Sequence, residues 1–137
     1  MLEHISLCHN NHKDDTPSCA TIEIWLSKLL IAEFKGKDIL LMQLKNAKYE
    51  LINGSGFISI KFYIRREEEP FPFKIRVPIE MIAFQEEKNP IIFLLHVLNG
   101  YIDELEVFSA DSSLINGEIS LEKVNHMCQG DANRDNP

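Results

Sequence analysis

Residues 91–108 read IIFLLHVLNGYIDELEVF, and the architecture of the chain is built around this segment. An Asn-Gly pair between two runs of β-branched and aromatic residues is the strongest short-range signal for a β-hairpin. A two-residue turn at Asn99 and Gly100 places His96 opposite Asp103 on the neighbouring strand. Because the first run is apolar at nearly every position, we predict that it forms an interior strand of a sheet, with some shielding on both faces.

The same register predicts which side chains of the hairpin share a face. Successive side chains of a strand point to opposite faces, so the two glutamates of the ELE triplet, Glu104 and Glu106, lie together. Their face is predicted to carry Phe93, Leu95, Ile102 and Phe108, and the opposite face Leu94, His96, Leu105 and Val107. We expect the glutamates to point outward into water, which would make their face a mixture of acidic and apolar groups.

Three further strands are predicted upstream of the hairpin. In residues 57–64, FISIKFYI, apolar and polar residues alternate, and residues 47–56 indicate a strand followed by a glycine-containing turn. A third, long strand is predicted over residues 73–83. Within it, Pro78 removes one ladder donor, which indicates an edge-like stretch or a bulge.

The hydrophobic period changes to that of a helix nearer the N-terminus. In residues 21–34 the apolar residues recur at three-to-four spacing, and Gly36 ends this helix because glycine takes the left-handed cap conformation without a Cβ penalty. Residues 37–47 show a second apolar stripe of the same kind. The predicted fold class is therefore α+β, with two N-terminal helices packed on one face of a five-stranded antiparallel meander sheet.

Length and composition suit one domain with two polar ends. The chain has 137 residues, of which 45% are hydrophobic and 26% charged. Residues 1–20 and 125–137 are polar and show no sustained period, so we expect a flexible N-terminal arm and a flexible C-terminal tail. Residues 21–124 are the predicted domain, and residues 109–124 at its end are expected to be a loop with room for one short element.

Charge and cysteine content limit the cellular location and the classes of partner that we expect. Fourteen Lys and Arg against twenty-one Asp and Glu give a net charge of -7, which argues against nucleic acid as a partner and suits a basic protein. The simpler alternative is that this charge only keeps a small domain soluble. No secretory signal or membrane-spanning apolar run is recognised, and three cysteines are an odd and sparse set, so we expect reduced thiols and a cytoplasmic location without a membrane partner.

The segment CHNNHKDDTPSC near the N-terminus raises the possibility of a metal site. Its Cys and His spacings match no common zinc knuckle pair, and His126 and Cys128 could complete a site only if the two termini meet. The metal-ligating residues considered are Cys8, His9, His12, Cys19, His126 and Cys128. We predict a solvated arm here, with no metal and no cofactor.

His96 opposite Asp103 could act as an acid–base pair, because a carboxylate that orients an imidazole is what general-base catalysis needs. The sequence has no nucleophile elbow, phosphate-binding loop or H-E-x-x-H motif to accompany it. We therefore predict a structural pair and no enzymatic activity. A small hydrolytic enzyme that uses His96 and Asp103 stays open as an alternative.

Two interpretations of the glutamate face also stay open. Carboxylates beside exposed apolar groups have the composition of a protein-binding surface with electrostatically steered association. Alternatively, Lys61, Lys74 and Arg76 project from neighbouring strands and merely pair with Glu104 and Glu106. Mixed outer faces of this kind are common in half-solvated antiparallel sheets.

Residues 34–116 resemble a widespread group of small, largely uncharacterised bacterial proteins that end in an LLHV-x-x-G-Y-x-x-ELE hairpin. The segments that carry the resemblance are FKGKDILLMQLKNAKYE, FISIKFYI, IRVPIE and FLLHVLNGYIDELEVFSADSS, and the most specific part is 94–111. Members of this group are similar to immunity proteins encoded beside polymorphic or contact-dependent growth inhibition toxins. The resemblance implies no catalytic residue, and it implies a protein that binds and blocks one cognate toxin.

The predicted function is therefore toxin neutralisation by protein–protein sequestration, with a basic nuclease as the expected toxin. A basic surface that holds a phosphate backbone is one that an acidic chain can occupy. The predicted toxin contacts are Glu104, Glu106, Phe93, Leu95, Phe108, Asp111 and Tyr63, with Ile82 and Phe84 as further apolar anchors. A general protein-interaction adaptor is a second alternative, and the sequence leaves the oligomeric state open.

Overall fold

The computed structural model describes residues 3–4, 17–54, 56–115 and 118–129. In chain order the elements are β1 (Glu3–His4), α1 (Cys19–Leu29), α2 (Lys37–Lys45), β2 (Lys48–Gly54), β3 (Phe57–Tyr63), β4 (Ile79–Ala83), β5 (Ile91–Leu98), β6 (Tyr101–Ser109) and β7 (Val124–Cys128). The α+β class and its two N-terminal helices are confirmed. Cys8, His9 and His12, which belong to the predicted N-terminal arm, lie outside the described residues.

The strands form one sheet in the order β1-β2-β3-β6-β5-β4-β7. Six strands pair antiparallel, and β1 joins β2 in a parallel contact of two residues. All five predicted strands are present, but the predicted meander is wrong because β3 pairs with β6 and not with β4. Residues 64–78 connect β3 to β4. This connection is long enough for two strands to lie between β3 and β4, so that β6, the last strand of the β4–β5–β6 unit, pairs with β3.

The predicted strand over residues 73–83 begins only at Ile79. Prolines lack the N–H that a ladder needs, and the segment before Pro78 lies across the β5–β6 hairpin instead. The Phe71 amide donates to the Gly100 carbonyl over 2.7 Å, and the Val97 amide donates to the Arg76 carbonyl, also over 2.7 Å. This segment therefore closes the turn end of the hairpin as an irregular strap.

The C-terminal strand β7 was not predicted, and residues 125–128, assigned to a flexible tail, form most of it. It pairs with β4 from Ile79↔Cys128 to Ala83↔Val124. His126 Nε2 lies 2.9 Å from the Lys28 carbonyl, so this strand also contacts the end of α1. The sequence VNHMC alternates too weakly between apolar and polar residues to indicate a strand.

Both helices lie on one face of the sheet. Helix α1 begins after Ser18, whose Oγ accepts from the Thr21 amide over 3.1 Å, and it ends at Leu29, earlier than predicted. The prediction that Gly36 ends the first helix is wrong, because Leu30 is the C-cap of α1 and Gly36, with a left-handed φ of 84°, is the N-cap of α2. The Trp25 ring meets the Phe93 ring edge-on at 5.5 Å. The face that carries Phe93 is therefore the core face.

One buried polar side chain joins α2 to the hairpin. Gln43 Nε2 donates to the carbonyls of Glu69 and Gly100, both over 2.9 Å, and its Oε1 accepts from the Ile102 amide over 2.9 Å. All of its hydrogen-bonding groups at this contact are used, as a buried amide requires. Neither described helix has the length and hydropathy needed to cross a membrane.

Candidate protein-binding face

The β5–β6 hairpin turns at Asn99 and Gly100, which have φ values of 55° and 90°, the positive values of a type I′ turn. The predicted two-residue turn is thus present, with Leu98 opposite Tyr101. Between this turn and His96 the register shifts by one residue, so His96 faces Glu104. The predicted pair of His96 with Asp103 is wrong, because Asp103 is the extra residue of a β-bulge.

The bulge changes which side chains share a face. Phe93 and Leu95 have 0% exposure on the core face, and Ile102 is buried there as well, so none of them accompanies the glutamates as predicted. Glu104, Glu106 and Phe108 do lie together, on the face away from the helices. We call this the outer face. From β3 to β6 it carries Phe57, Ser59, Lys61, Tyr63, Glu80, Ile82, Ile92, Leu94, His96, Asp103, Glu104, Glu106 and Phe108, and the flanking strands β2 and β7 add Lys48, Glu50, Ile52, Asn125 and Met127.

One end of the outer face is apolar across four adjacent strands. Ile82 pairs with Ile92, Ile92 with Phe108, and Phe108 with Phe57. We call these four side chains the apolar row. Three of them are half-buried and Phe57 is 39% exposed. These four side chains lie beside one another and their strand neighbours, and no described helix or strand lies over them.

The other end of the outer face is a network of polar side chains. His96 Nε2 lies 2.9 Å from Glu106 Oε1, and Ser59 Oγ donates to Glu104 Oε2 over 2.6 Å. Lys61 Nζ is 2.5 Å from Asp103 Oδ1. Each carboxylate of the ELE triplet therefore has one oxygen bonded within its own chain.

These contacts show whether Lys61, Lys74 and Arg76 form ion pairs with Glu104 and Glu106, as one of the two interpretations of the glutamate face predicts. Lys61 does pair with an acid, but the acid is Asp103. Lys74 and Arg76 lie in the segment before β4 and form no ion pair with any described residue. Within strands β3 to β6, Lys61 is thus the one ammonium group beside four outer-face carboxylates, those of Glu80, Asp103, Glu104 and Glu106.

Tyr63 and Asp111, also predicted as toxin contacts, lie at opposite ends of the sheet. The Tyr63 hydroxyl donates to Glu50 Oε1 over 2.8 Å, and this hydrogen bond raises the pKa of the Tyr63 phenol. Asp111 lies in the turn after β6. Its Oδ1 accepts from Ser109 Oγ and the Ser113 amide over 2.8 and 3.0 Å, and its Oδ2 accepts from Asn89 over 2.6 Å.

Asp111 therefore closes the loop that follows β6. The hydroxyls of Ser113 and Ser109 lower its pKa to about 2, because they stabilise the charged carboxylate. This residue is exposed, but every contact it makes lies within its own loop or with Asn89.

Three members of the apolar row or its surroundings were missed as site residues, namely Phe57, Ile92 and Ser59. The signal for Ile92 is the run IIFLLHVL itself, because a strand that is apolar on both faces must expose one of them to something other than the helices. Phe57 begins β3, and its ring lies over Gly54 on the neighbouring strand. That cross-strand contact depends on the register and is not visible in the sequence alone.

Within the described part of the chain, the residues considered for the hydrolytic and metal sites are not brought together. The His96 and Asp103 pair of the enzyme alternative is not formed, and Ser59 donates to Glu104 and not to the imidazole. Cys19 is the first residue of α1, whereas His126 and Cys128 lie on β7, where His126 contacts Lys28 near the C-terminal end of that helix. Across the residues that the structure describes, no three His, Cys, Asp or Glu side chains are grouped to hold a metal ion.

Comparison of the chain with protein-family models, curated proteins and solved structures found no match.

Proposed function

We propose that this chain is an immunity-type protein that binds a basic toxin domain, a nuclease, in the cytoplasm and blocks it by sequestration. The observation that supports the proposal is the outer face, where the apolar row lies beside carboxylates and no described element covers either. A contiguous apolar strip rimmed by polar groups is typical of a protein-interaction surface.

Affinity in this proposal comes from the apolar row. Aromatic and aliphatic side chains that become fully desolvated dominate binding energy, and charged groups at the rim contribute less. Phe57 and Phe108 supply two adjacent aromatic rings at one end of the row. Half-buried side chains are also already ordered by their strands, which lowers the entropy lost when a partner covers them.

The carboxylates supply association rate and partner choice. A chain with a net charge of -7 attracts a basic partner over a distance of about the Debye length, roughly 8 Å at physiological salt. Glu104 and Glu106 accept hydrogen bonds from Ser59 and His96 through one oxygen each, so both carboxylates are held in place before a partner arrives. A nuclease is the expected partner class because it must be basic to hold its substrate.

The test first asks whether a large secreted protein with a variable C-terminal domain is encoded beside the gene of this chain, and then measures binding of the chain to that domain. Phe57→Ala should raise the dissociation constant about tenfold or more, because it truncates an anchor. Phe73→Ala is the matched control, since Phe73 is 38% exposed but lies before β4 and outside the outer face. It should change the dissociation constant by less than about twofold.

Substitution of both Glu104 and Glu106 by Gln should instead lower the association rate and flatten its dependence on salt. Toxin binding that Phe73→Ala weakens as much as Phe57→Ala does would remove the outer face from the proposal. Absence of binding to any adjacently encoded toxin domain would remove the immunity function itself.

A further inference from the structure

The bulge in β6 adds a third carboxylate to the polar end of the outer face. In a regular strand only one of the neighbours Asp103 and Glu104 would lie on this face. Because Asp103 is the extra residue, both of them do, and Glu104 keeps its place directly opposite His96. Bulges commonly re-aim a side chain at functional positions in this way.

Lys61 is the cation that this arrangement affects. Its Cα partners on the two neighbouring strands are Glu104 on β6 and Glu50 on β2, so a direct cross-strand ion pair with one of these glutamates is the expected contact. The Lys61 ammonium nevertheless lies 2.5 Å from Asp103 Oδ1. Glu104 is bonded instead to the Ser59 hydroxyl, over 2.6 Å.

We propose that Asp103 is a positioning residue for the outer-face interaction, and that it holds the Lys61 ammonium away from Glu104. Glu104 and Glu106 then keep their negative charge available to a cationic side chain of the partner. The inference rests on the proposed function and refines it. The partner is expected to present lysine or arginine side chains next to the apolar residues that cover the apolar row.

The geometry explains why Asp103 outcompetes Glu104 for the lysine. The ion pair of Lys61 with Asp103 is partly enclosed, because only 39% of the Lys61 side chain and 20% of the Asp103 side chain are exposed. The attraction between the two charges is therefore less screened than at an open surface. Glu104 already accepts a short hydrogen bond from a buried serine, which fixes one oxygen away from Lys61. Loss of the Asp103 carboxylate leaves two acids directly opposite Lys61, Glu104 on β6 and Glu50 on β2, and Glu50 already accepts a hydrogen bond from the Tyr63 hydroxyl.

The experiment is a double-mutant cycle on the full chain with Lys61→Met, Asp103→Asn and the double variant. The probe is an amidated peptide that alternates isoleucine with arginine, titrated into the isotopically labelled protein and followed by amide chemical shifts. With Asp103 present, Lys61→Met should change the dissociation constant by less than about 1.5-fold, because the carboxylate that it unpairs is that of Asp103, which is only 20% exposed, and not that of Glu104. In the Asp103→Asn background the same change should strengthen binding about threefold or more.

A cycle is needed because a simple count of charges predicts the same factor for Lys61→Met in both backgrounds. Equal factors would overturn the role of Asp103 while leaving the outer face as the binding surface. The Glu104 carboxyl carbon provides a second readout, and its chemical shift should change in Asp103→Asn and return in the double variant. Failure of the peptide to bind the wild-type chain, or binding unaffected by Phe108→Ala, would overturn the outer-face surface and this inference together.

Discussion

On the core face of β5, Phe93 and Leu95 are fully enclosed, whereas Ile92 and Leu94 on the outer face of the same strand stay half-buried beside carboxylates. The two faces use nearly the same residue types on this strand. What differs is their surroundings, because α1 and α2 cover one face and no described element covers the other. An apolar strand in the middle of a sheet is therefore not evidence of two covered faces.

The bulge at Asp103 keeps these two faces distinct. Ile102 and Leu105 are three residues apart and both are buried on the core face, which a regular strand with a period of two does not allow. The extra residue absorbs the mismatch, and Glu104 and Glu106 stay on the outer face. The division between core and surface in β6 thus depends on this extra residue being accommodated as a bulge.

The largest expected effect comes from deletions that either remove this inserted residue or disturb the regular part of β6. Deletion of Asp103 should be tolerated, because Val97 and His96 already pair with Ile102 and Glu104 on either side of the bulge. We expect it to lower the free energy of unfolding by no more than about 2 kcal/mol. Deletion of Glu106 should unfold the chain, since it moves neighbouring side chains to the wrong face of a protein only about 5–15 kcal/mol stable.

Circular dichroism and urea denaturation separate these outcomes. In the Asp103 deletion, nuclear Overhauser effects between Leu105 and Leu95 should be retained, because these two residues are paired in the native register. Equal damage from the two deletions would mean that the bulge is an essential part of the core and not a device that adjusts the outer face.

How much of this could be predicted from the sequence differs between the turn and the bulge. Asn99 and Gly100 carry a conformational signature, because positive φ values at two consecutive positions favour these residues. The bulge has only an indirect signal, the break in alternation where Asp103 and Glu104 stand together between Ile102 and Leu105. A strict period of two passes over this break and assigns Phe93 and Leu95 to the glutamate face.

Strand order was less predictable than strand identity. Local periodicity indicates which residues form β3 and β4, but the choice of β6 as the partner of β3 depends on pairing between distant segments. The strand β7 carries too little alternation to be recognised, and its position is fixed by contacts such as that of His126 with Lys28. Tertiary contacts of this kind have no local signature.

A smaller effect compares equivalent truncations on the two faces. Phe93→Ala should lower the free energy of unfolding by about 3–5 kcal/mol, because it leaves a cavity beside Trp25 under the helices. Phe108→Ala, on the outer face, should lower it by only about 1 kcal/mol, since solvent can fill the space. Urea denaturation of both variants measures the difference. A similar loss from both would indicate that the apolar row is already covered in the free protein.

The smallest expected effect distinguishes the acids of the outer face from Asp111, the acid that closes the loop after β6. Its pKa of about 2 lies below the value near 3.9 of an unfolded chain, so its charged form stabilises the fold above about pH 4. That contribution should be lost as the pH falls from about 4 through 2. Comparison of wild type with Asp111→Asn should therefore show a stability difference at pH 6 that shrinks across this range, roughly two units wide.

The titration of the Asp111 carboxyl carbon checks the cause directly. Ser113→Ala removes the hydroxyl that contributes most to the low pKa, so the midpoint should rise in this variant. An unshifted midpoint in Ser113→Ala would assign the low pKa to the Ser109 hydroxyl and the Ser113 amide instead. A wild-type midpoint near 3.9 would mean that Asp111 is not locked in its loop, and it would then be available, with Glu104 and Glu106, to a basic partner.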